Sequence, residues 1–244
     1  VGGLGFPVLF ELRRSLRTPR RWSLHTKITV TATAVLLVLG TALVTAAEWT
    51  NPGTLGSLDT PGRLLAGVFH GVMPRTAGFN SLDVGAMRDE TLLGTMILMF
   101  IGGGSAGTAG GIKVTTFVIL FFVIYAEVRG EENVNAFDRR IGPRVQRQAL
   151  TVALLSVATV VAATLVVVAL SDLPMEKTAF EVVSAFGTVG LSTGITADLP
   201  AAAQVLLVLV MFLGRLGPIA LASSIALRDR RRMYTLPEGR PIVG

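Results

Sequence analysis

The chain has 244 residues, 51% of them hydrophobic and only 16% charged, with a mean hydropathy of +0.63. Soluble domains run at about 25% charged residues, so this deficit, combined with long uncharged runs, points to a bilayer as solvent. Zero Cys and only two His (His25 and His70) exclude disulfide frameworks, thiolate metal sites and His-cluster metal sites.

In chain order, Val1 is followed by no charged n-region before an apolar stretch, so no signal peptide is expected. Residues 1–27 read as the end of one unit and a basic loop. Ile28 to Ala47 gives 20 residues without a charge, long enough to cross a bilayer. Asp59-Thr60-Pro61 then opens a short helix over Gly62 to Met73, with Thr60 suited to the N-cap and Pro61 to the first helical position. About 13 helical residues cover only ~20 Å, too little to cross.

Thr91 to Ala126 is apolar but interrupted by the Gly-rich run from Gly102 to Gly111. Its flanks, 91–101 and 112–126, are each too short to cross, so together they read as one crossing broken at depth. Such a break is tolerated only where it is buried in protein or lines a water-filled cavity. Residues 127–148 form a second basic loop, and Ala149 to Ser171 is a 23-residue span. A second short helix follows from Met175 to Phe186, after Ser171-Asp172-Leu173-Pro174. Ala201 to Gly214 then runs past a lone Arg215 to Leu227, and 228–244 is a basic tail.

Loop charge gives orientation. The segments 11–27, 127–148 and 228–244 hold sixteen of the 22 cationic residues, while Glu48, Asp59, Asp83, Asp89, Glu90, Asp172, Glu176 and Asp198 lie in the alternate loops. The positive-inside rule makes the basic side, with the C-terminus, cytoplasmic, and the protein a multi-pass one of the cell (inner) membrane.

An internal repeat underlies the pattern. An offset of 112 residues carries Thr76 to Thr188, Gly78 to Gly190, and Leu98-Met99-Phe100-Ile101-Gly102 onto Val210-Met211-Phe212-Leu213-Gly214 without a gap. Gly2-Gly3-Leu4-Gly5-Phe6-Pro7-Val8 matches Gly214-Arg215-Leu216-Gly217-Pro218-Ile219-Ala220, so the chain opens inside the return helix of an earlier copy, with at least one unit expected upstream.

Helix, re-entrant pore helix, filter loop, helix is the plan of a potassium channel subunit. Arg75-Thr76-Ala77-Gly78-Phe79, the break ending Gly111-Ile112-Lys113, and Gly214-Arg215-Leu216-Gly217-Pro218 resemble the Trk/Ktr/HKT superfamily of potassium transporters, closest to the bacterial Trk/Ktr-type membrane subunit. The resemblance implies an all-α polytopic fold with helix–pore helix–filter loop–helix units around a pseudo-fourfold pore. It divides the chain into the end of a second repeat with a cytoplasmic loop (1–27), a third repeat (28–126), a loop (127–148), a fourth repeat (149–227) and a tail (228–244). Half of the filter is then expected to lie outside this sequence, and the chain alone is not expected to conduct.

Potassium sheds its water only if a ring of oxygens replaces the hydration shell, which backbone carbonyls can do. Aiming successive carbonyls inward needs positive φ, which Gly adopts without steric cost. The resemblance places Thr76, Ala77, Gly78, Phe79, Thr188, Val189, Gly190 and Leu191 in the filter, with potassium held by backbone carbonyls alone. It places a gate at Gly102, Gly103, Gly104, Ser105, Gly107, Thr108, Gly110, Gly111, Lys113 and Arg215. The loop would obstruct the pore while Arg215 forms an electrostatic constriction beneath the filter. A structural ion pair is the alternative for Arg215, and for Lys113 the two readings stand level.

Gly102-x-Gly104-x-x-Gly107 also has the form of a dinucleotide fingerprint, with Glu127 twenty residues on. It lacks a strand–turn–helix context, and Ile112 stands where a Walker loop needs Gly before Lys113, so nucleotide binding is set aside. His70 reads as a packed or hydrogen-bonded side chain rather than an ion ligand. Trp22 and Trp49 read as interfacial anchors at opposite ends of the first span.

The function expected is therefore non-enzymatic potassium uptake, with potassium as substrate and no cofactor in this chain. The alternative is a broken-helix permease for a small solute or anion. By resemblance, the partners are the missing N-terminal repeats, a second copy in a homodimer and a cytoplasmic nucleotide-binding regulatory subunit, beside the lipid bilayer and no nucleic acid.

Overall fold

The computed structural model describes residues 2–217. The Pro218 end of the last motif, the remainder of the fourth unit to Leu227 and the basic tail lie outside the described residues. Eight helices run in order among those described: α1 (Phe6–Ser15), α2 (Leu24–Glu48), α3 (Thr60–Val72), α4 (Asp89–Phe100), α5 (Val114–Val128), α6 (Pro143–Leu170), α7 (Met175–Gly187) and α8 (Ala201–Leu216).

Among the described residues, only α2 and α6, with 25 and 28 residues, are both long and apolar enough to cross a membrane. At 1.5 Å per residue each exceeds the ~30 Å hydrocarbon core. Their surfaces are apolar on the outside as well as the inside: Val35, Val38 and Leu39 on α2, and Leu154 and Leu165 on α6, are exposed. A helix of a soluble protein would turn polar residues outward there.

The ends of the elements have local causes. Ser23 caps α2, its hydroxyl accepting from the Thr26 backbone N–H at 3.3 Å. Glu11 of α1 reaches across to accept from the Ser23 N–H and hydroxyl, both at 2.6 Å, and from the Thr26 hydroxyl at 2.5 Å. These bonds, chiefly the one from the Ser23 side chain, hold the Glu11 carboxyl below the usual glutamate range. A carboxylate with a depressed folded pKa stabilises the fold above its unfolded pKa, and that contribution is lost as pH falls through the folded value. Glu11→Gln should therefore leave a melting curve less sensitive to acid below about pH 4 than that of wild type.

Helix α3 starts one residue earlier than the Pro61 pattern implies. Asp59, not Thr60, is the N-cap, its side chain accepting from the Gly62 N–H at 3.1 Å. An Asp at that position supplies both an acceptor and a negative charge to the helix N-terminus, so it displaces Thr. Residues 127–148 are also less loop-like than expected. Helix α6 begins at Pro143, and a two-stranded hairpin, β1 (Asn135–Ala136) with β2 (Arg139–Arg140), departs from an all-helical chain.

Two apolar clusters position the site. One gathers Leu92 and Met99 of α4, Phe180 and Val183 of α7, and Leu55, Val84, Val189 and Leu191 from the connections. The other gathers Ala163 and Val167 of α6, Val182 and Phe186 of α7, and Leu207 and Val210 of α8. Phe100 packs against both and stacks on Phe186 with ring centroids 5.8 Å apart. Helix α7 is thus the hub. Phe186→Ala should cost about 3–5 kcal/mol, read as a lowered melting temperature of the detergent-solubilised protein.

Trp49 caps the far end of α2 beneath the Arg63 guanidinium, 5.3 Å from its ring. Trp22 donates its indole N–H to the Ser15 carbonyl at 2.9 Å before the near end. Glu48, fully buried, accepts from the Arg88 N–H (3.0 Å), Thr91 (2.5 Å), Asn51 (2.6 Å) and Thr54 (2.6 Å). It ties the end of α2 to the start of α4, which aligns the break that follows.

Candidate ion pathway

Helices α3 and α7, 13 residues each, both end in a segment that turns through positive φ twice. Thr76 and Gly78 have φ of 62° and 71°; Thr188 and Gly190 have φ of 50° and 95°. A β-branched residue in that region is strained by about 1–3 kcal/mol and persists only where its surroundings over-determine it. Here the Met73 carbonyl accepts from both the Ala77 and Gly78 N–H groups at 3.2 Å, and the Ser184 carbonyl accepts from Val189 N–H at 2.9 Å.

The two segments lie side by side. A Cβ on Gly78 would stand 1.9 Å from the Val189 carbonyl oxygen and 3.2 Å from the Gly190 Cα, far inside contact distance. Of the remaining residues in this set, Val189 and Leu191 are buried in the first cluster whereas Phe79 is exposed.

The Gly-rich break lies against the second segment, a Cβ on Gly110 falling 2.5 Å from the Thr188 hydroxyl. It is not loose along its length. Gly102 N–H donates to the Ile112 carbonyl at 2.8 Å, Ile112 N–H to Phe100 at 3.1 Å and Val114 N–H to Gly103 at 3.0 Å, forming a parallel bridge between Ile101 and Ile112. Gly104 N–H donates to the Gly3 carbonyl at 2.6 Å, and Phe6 N–H to Ala106 at 3.3 Å. Gly102, Gly103 and Gly104 are glycines because backbone oxygens of Gly110, Gly3 and Leu4 occupy the places their Cβ atoms would take, at 2.0, 2.5 and 2.3 Å. The tip, Ser105 to Thr108, is more exposed, alternating half-buried and exposed residues, although the Ser105 carbonyl oxygen would stand 2.2 Å from a Cβ on Gly5.

Three polar side chains hold that tip. Ser105 and Thr115 share a hydroxyl hydrogen bond of 2.9 Å, Lys113 donates to the Ala109 carbonyl at 2.5 Å, and Arg215 Nη1 donates to the Thr108 carbonyl. Arg75, quoted in the motif but given no role from the sequence, donates to the Ile101 and Gly102 carbonyls at 3.3 and 3.0 Å and so joins the first segment to the root of the break. His70 is fully buried in α3, and neither ring nitrogen has a hydrogen-bond partner among the described residues.

Residues 1–231 match the family model TrkH, described as a cation transport protein. The chain belongs to that family. It is 40% identical over 244 residues to the Ktr system potassium uptake protein B of Bacillus subtilis (strain 168), an alignment covering all of this chain and 54% of that one. To the potassium/sodium uptake protein NtpJ of Enterococcus hirae it is 36% identical over 250 residues, covering 100% of this chain and 55% of the relative. The structure of the potassium transporter TrkH from Vibrio parahaemolyticus superposes with a TM-score of 0.73 at 19% identity, over 93% of this chain and 50% of the other, which is a likeness of fold. This TrkH-family chain therefore spans about half the length of the relatives it matches. The resemblance read from the filter loop, the break and the Arg215 motif is borne out at family level.

Proposed function

We propose that this chain supplies two of the filter segments of a potassium uptake pore. The observation that supports this best is the pairing of Gly78 and Gly190, both left-handed and in van der Waals contact across the ends of two short helices. Left-handed residues alternating with extended ones turn successive carbonyls toward one side, which is the arrangement a dehydrated potassium ion requires. The C-terminal ends of α3 and α7 add their partial negative charge toward the same place.

In this reading Thr76–Phe79 and Thr188–Leu191 line the filter, and the tip of the break with Lys113 and Arg215 lies beneath it as a gate. Arg215 opposes cations by charge and holds the tip by its bond to Thr108. The two further segments that close the ring come from residues outside this sequence. The protein crosses the inner membrane several times with its basic loops cytoplasmic, pairs as a homodimer, and takes its regulation from a nucleotide-binding subunit on that basic face. The names of the similar uptake proteins favour potassium over an anion or other small solute as cargo.

Expression of the intact gene in a strain lacking potassium uptake tests the reading. Growth at limiting potassium is expected; good membrane expression without rescue overturns it.

A further inference from the structure

Helix α7 carries one acid in its buried face, Glu181, 5% exposed between Phe180 and Val182. An acid side chain there is costly to bury unless donors replace its lost water. Four do. Oε1 accepts from the Ser192 hydroxyl (2.7 Å), the Thr193 N–H (2.8 Å) and the Thr193 hydroxyl (3.1 Å), and Oε2 accepts from the Thr196 hydroxyl (2.8 Å). All four donors belong to the stretch that follows Gly190.

That stretch has little else to hold it. Between Gly190 and Gly194 the chain makes no backbone-to-backbone hydrogen bond among the described residues; the further tie is local, Gly194 N–H donating to Ser192 Oγ at 2.9 Å. Leu191 is buried in the first cluster, but a pocket of about 310 Å³ bordered by Glu181, Ser184, Thr188, Gly190, Ser192 and Thr196 lies beside the stretch, so packing does not hold the whole of it. The other hairpin is built differently. The 112-residue offset sets Phe69 opposite Glu181, and there the return is held by local bonds, from Asn80 to the Leu82 carbonyl (3.4 Å), from Gly85 N–H to the Asp83 side chain (2.9 Å), and from the Ala86 and Met87 N–H groups to the Asp83 and Val84 carbonyls (3.2 and 3.3 Å), with no buried acid as anchor.

We propose that Glu181 is a positioning residue for ion selection: its buried carboxylate anchors residues 192–196 and thereby keeps Gly190 left-handed and seated against Gly78. This rests on the reading of Gly78 and Gly190 as filter residues. The anchor reaches the ion only through the backbone it holds, so it acts on how well the site fits potassium rather than on how many pores are folded.

The test uses the intact gene product in proteoliposomes, with initial potassium and sodium uptake measured for wild type, Glu181→Gln, Ser192→Ala and Thr196→Val. Loss of a charge-assisted bond to a buried group should raise the KM for potassium about tenfold in Glu181→Gln and lower the potassium-over-sodium preference about tenfold, with Vmax within about twofold. Each donor variant should shift both quantities the same way by about threefold. Unchanged KM and preference in all variants, with only a lower melting temperature, would overturn the proposal and leave Glu181 a fold-stabilising residue. If Glu181→Gln does not fold, the two donor variants decide by the same ratios. Wild type that moves no potassium overturns the filter reading itself, whereas selective wild type with flat variants overturns only the role of Glu181.

Discussion

Replacing Gly78 by Ser is expected to abolish most of the preference for potassium over sodium. Two effects act together. An L-residue at φ 71° is disfavoured by about 1–2 kcal/mol, and its Cβ would lie 1.9 Å from the Val189 carbonyl oxygen. Backbone cannot move aside as a flexible side chain can, so the carbonyls of both segments must shift. A ring widened or tilted in this way no longer replaces the potassium hydration shell, and a fall in preference of at least about tenfold should appear in paired potassium and sodium uptake by proteoliposomes. Gly130→Ala is the matching control. It imposes the same left-handed strain at φ 67° but meets no atom within 4 Å, so stability should fall slightly while selectivity holds. Unaltered selectivity in the Gly78 variant would falsify the filter assignment.

The second large effect is expected at Arg215. Its bond to the Thr108 carbonyl is the one hydrogen bond from α8 to the tip of the break among the described residues, and a hydrogen bond made by a charged donor contributes about 1.5 kcal/mol at an exposed site such as this. If that bond belongs to the closed arrangement, Arg215→Ala shifts the balance toward the open one by roughly a factor of ten or more and removes a positive charge from the cation path. Rubidium uptake by the intact protein should rise and depend less on the cytoplasmic regulator. Removing Ala106 to Thr108 should act the same way. A longer deletion from Gly103 to Gly110 is a poorer test, because it also removes the Gly103 carbonyl that accepts from Val114 and the Gly104 N–H that donates to Gly3. Equal uptake by Arg215→Ala and wild type, with regulation intact, would place the gate elsewhere.

Much of the architecture was legible because the bilayer imposes simple length rules. The 20-residue uncharged run lies within α2, the 23-residue run fills α6 to its end and includes its C-cap Ser171, and the Pro-started short segments became α3 and α7. The paired glycines were found by register, since one offset aligned two hairpins and two return segments at once. What escaped was every interaction between residues distant in sequence and joined by ordinary polar chemistry. Glu48 reads as one more acid of an outer loop, yet it is fully buried and bonded to residues as far away as Thr91. Glu181 and Arg75 had no spacing signal, because Ser, Thr and backbone carbonyls are acceptable partners almost anywhere. The packing of the break was not legible for a related reason. Six glycines in ten residues describe equally well a segment with nothing to pack and a segment packed too closely for any side chain, and composition does not separate these. The buried roots and their bonds to Gly3 and Ile112 decide for close packing, with exposure confined to Ala106 and Thr108.

The parallel bridge between Ile101 and Ile112 has a mechanical consequence. Because Ile112 bonds back to Phe100 and Val114 to Gly103, α5 takes up its course close to where α4 leaves off, and the residues between form a side excursion with a nearly closed neck. Force along α4 passes to α5 through the neck and largely bypasses the tip. The register of α4 and α5 is therefore set apart from residues 106–108, whose backbone tie among the described residues is the bond from Phe6 N–H to the Ala106 carbonyl. In an engineered protein, residues 106–108 would be the place to insert a probe or a ligand-binding loop, with the surrounding bundle serving as an undisturbed frame.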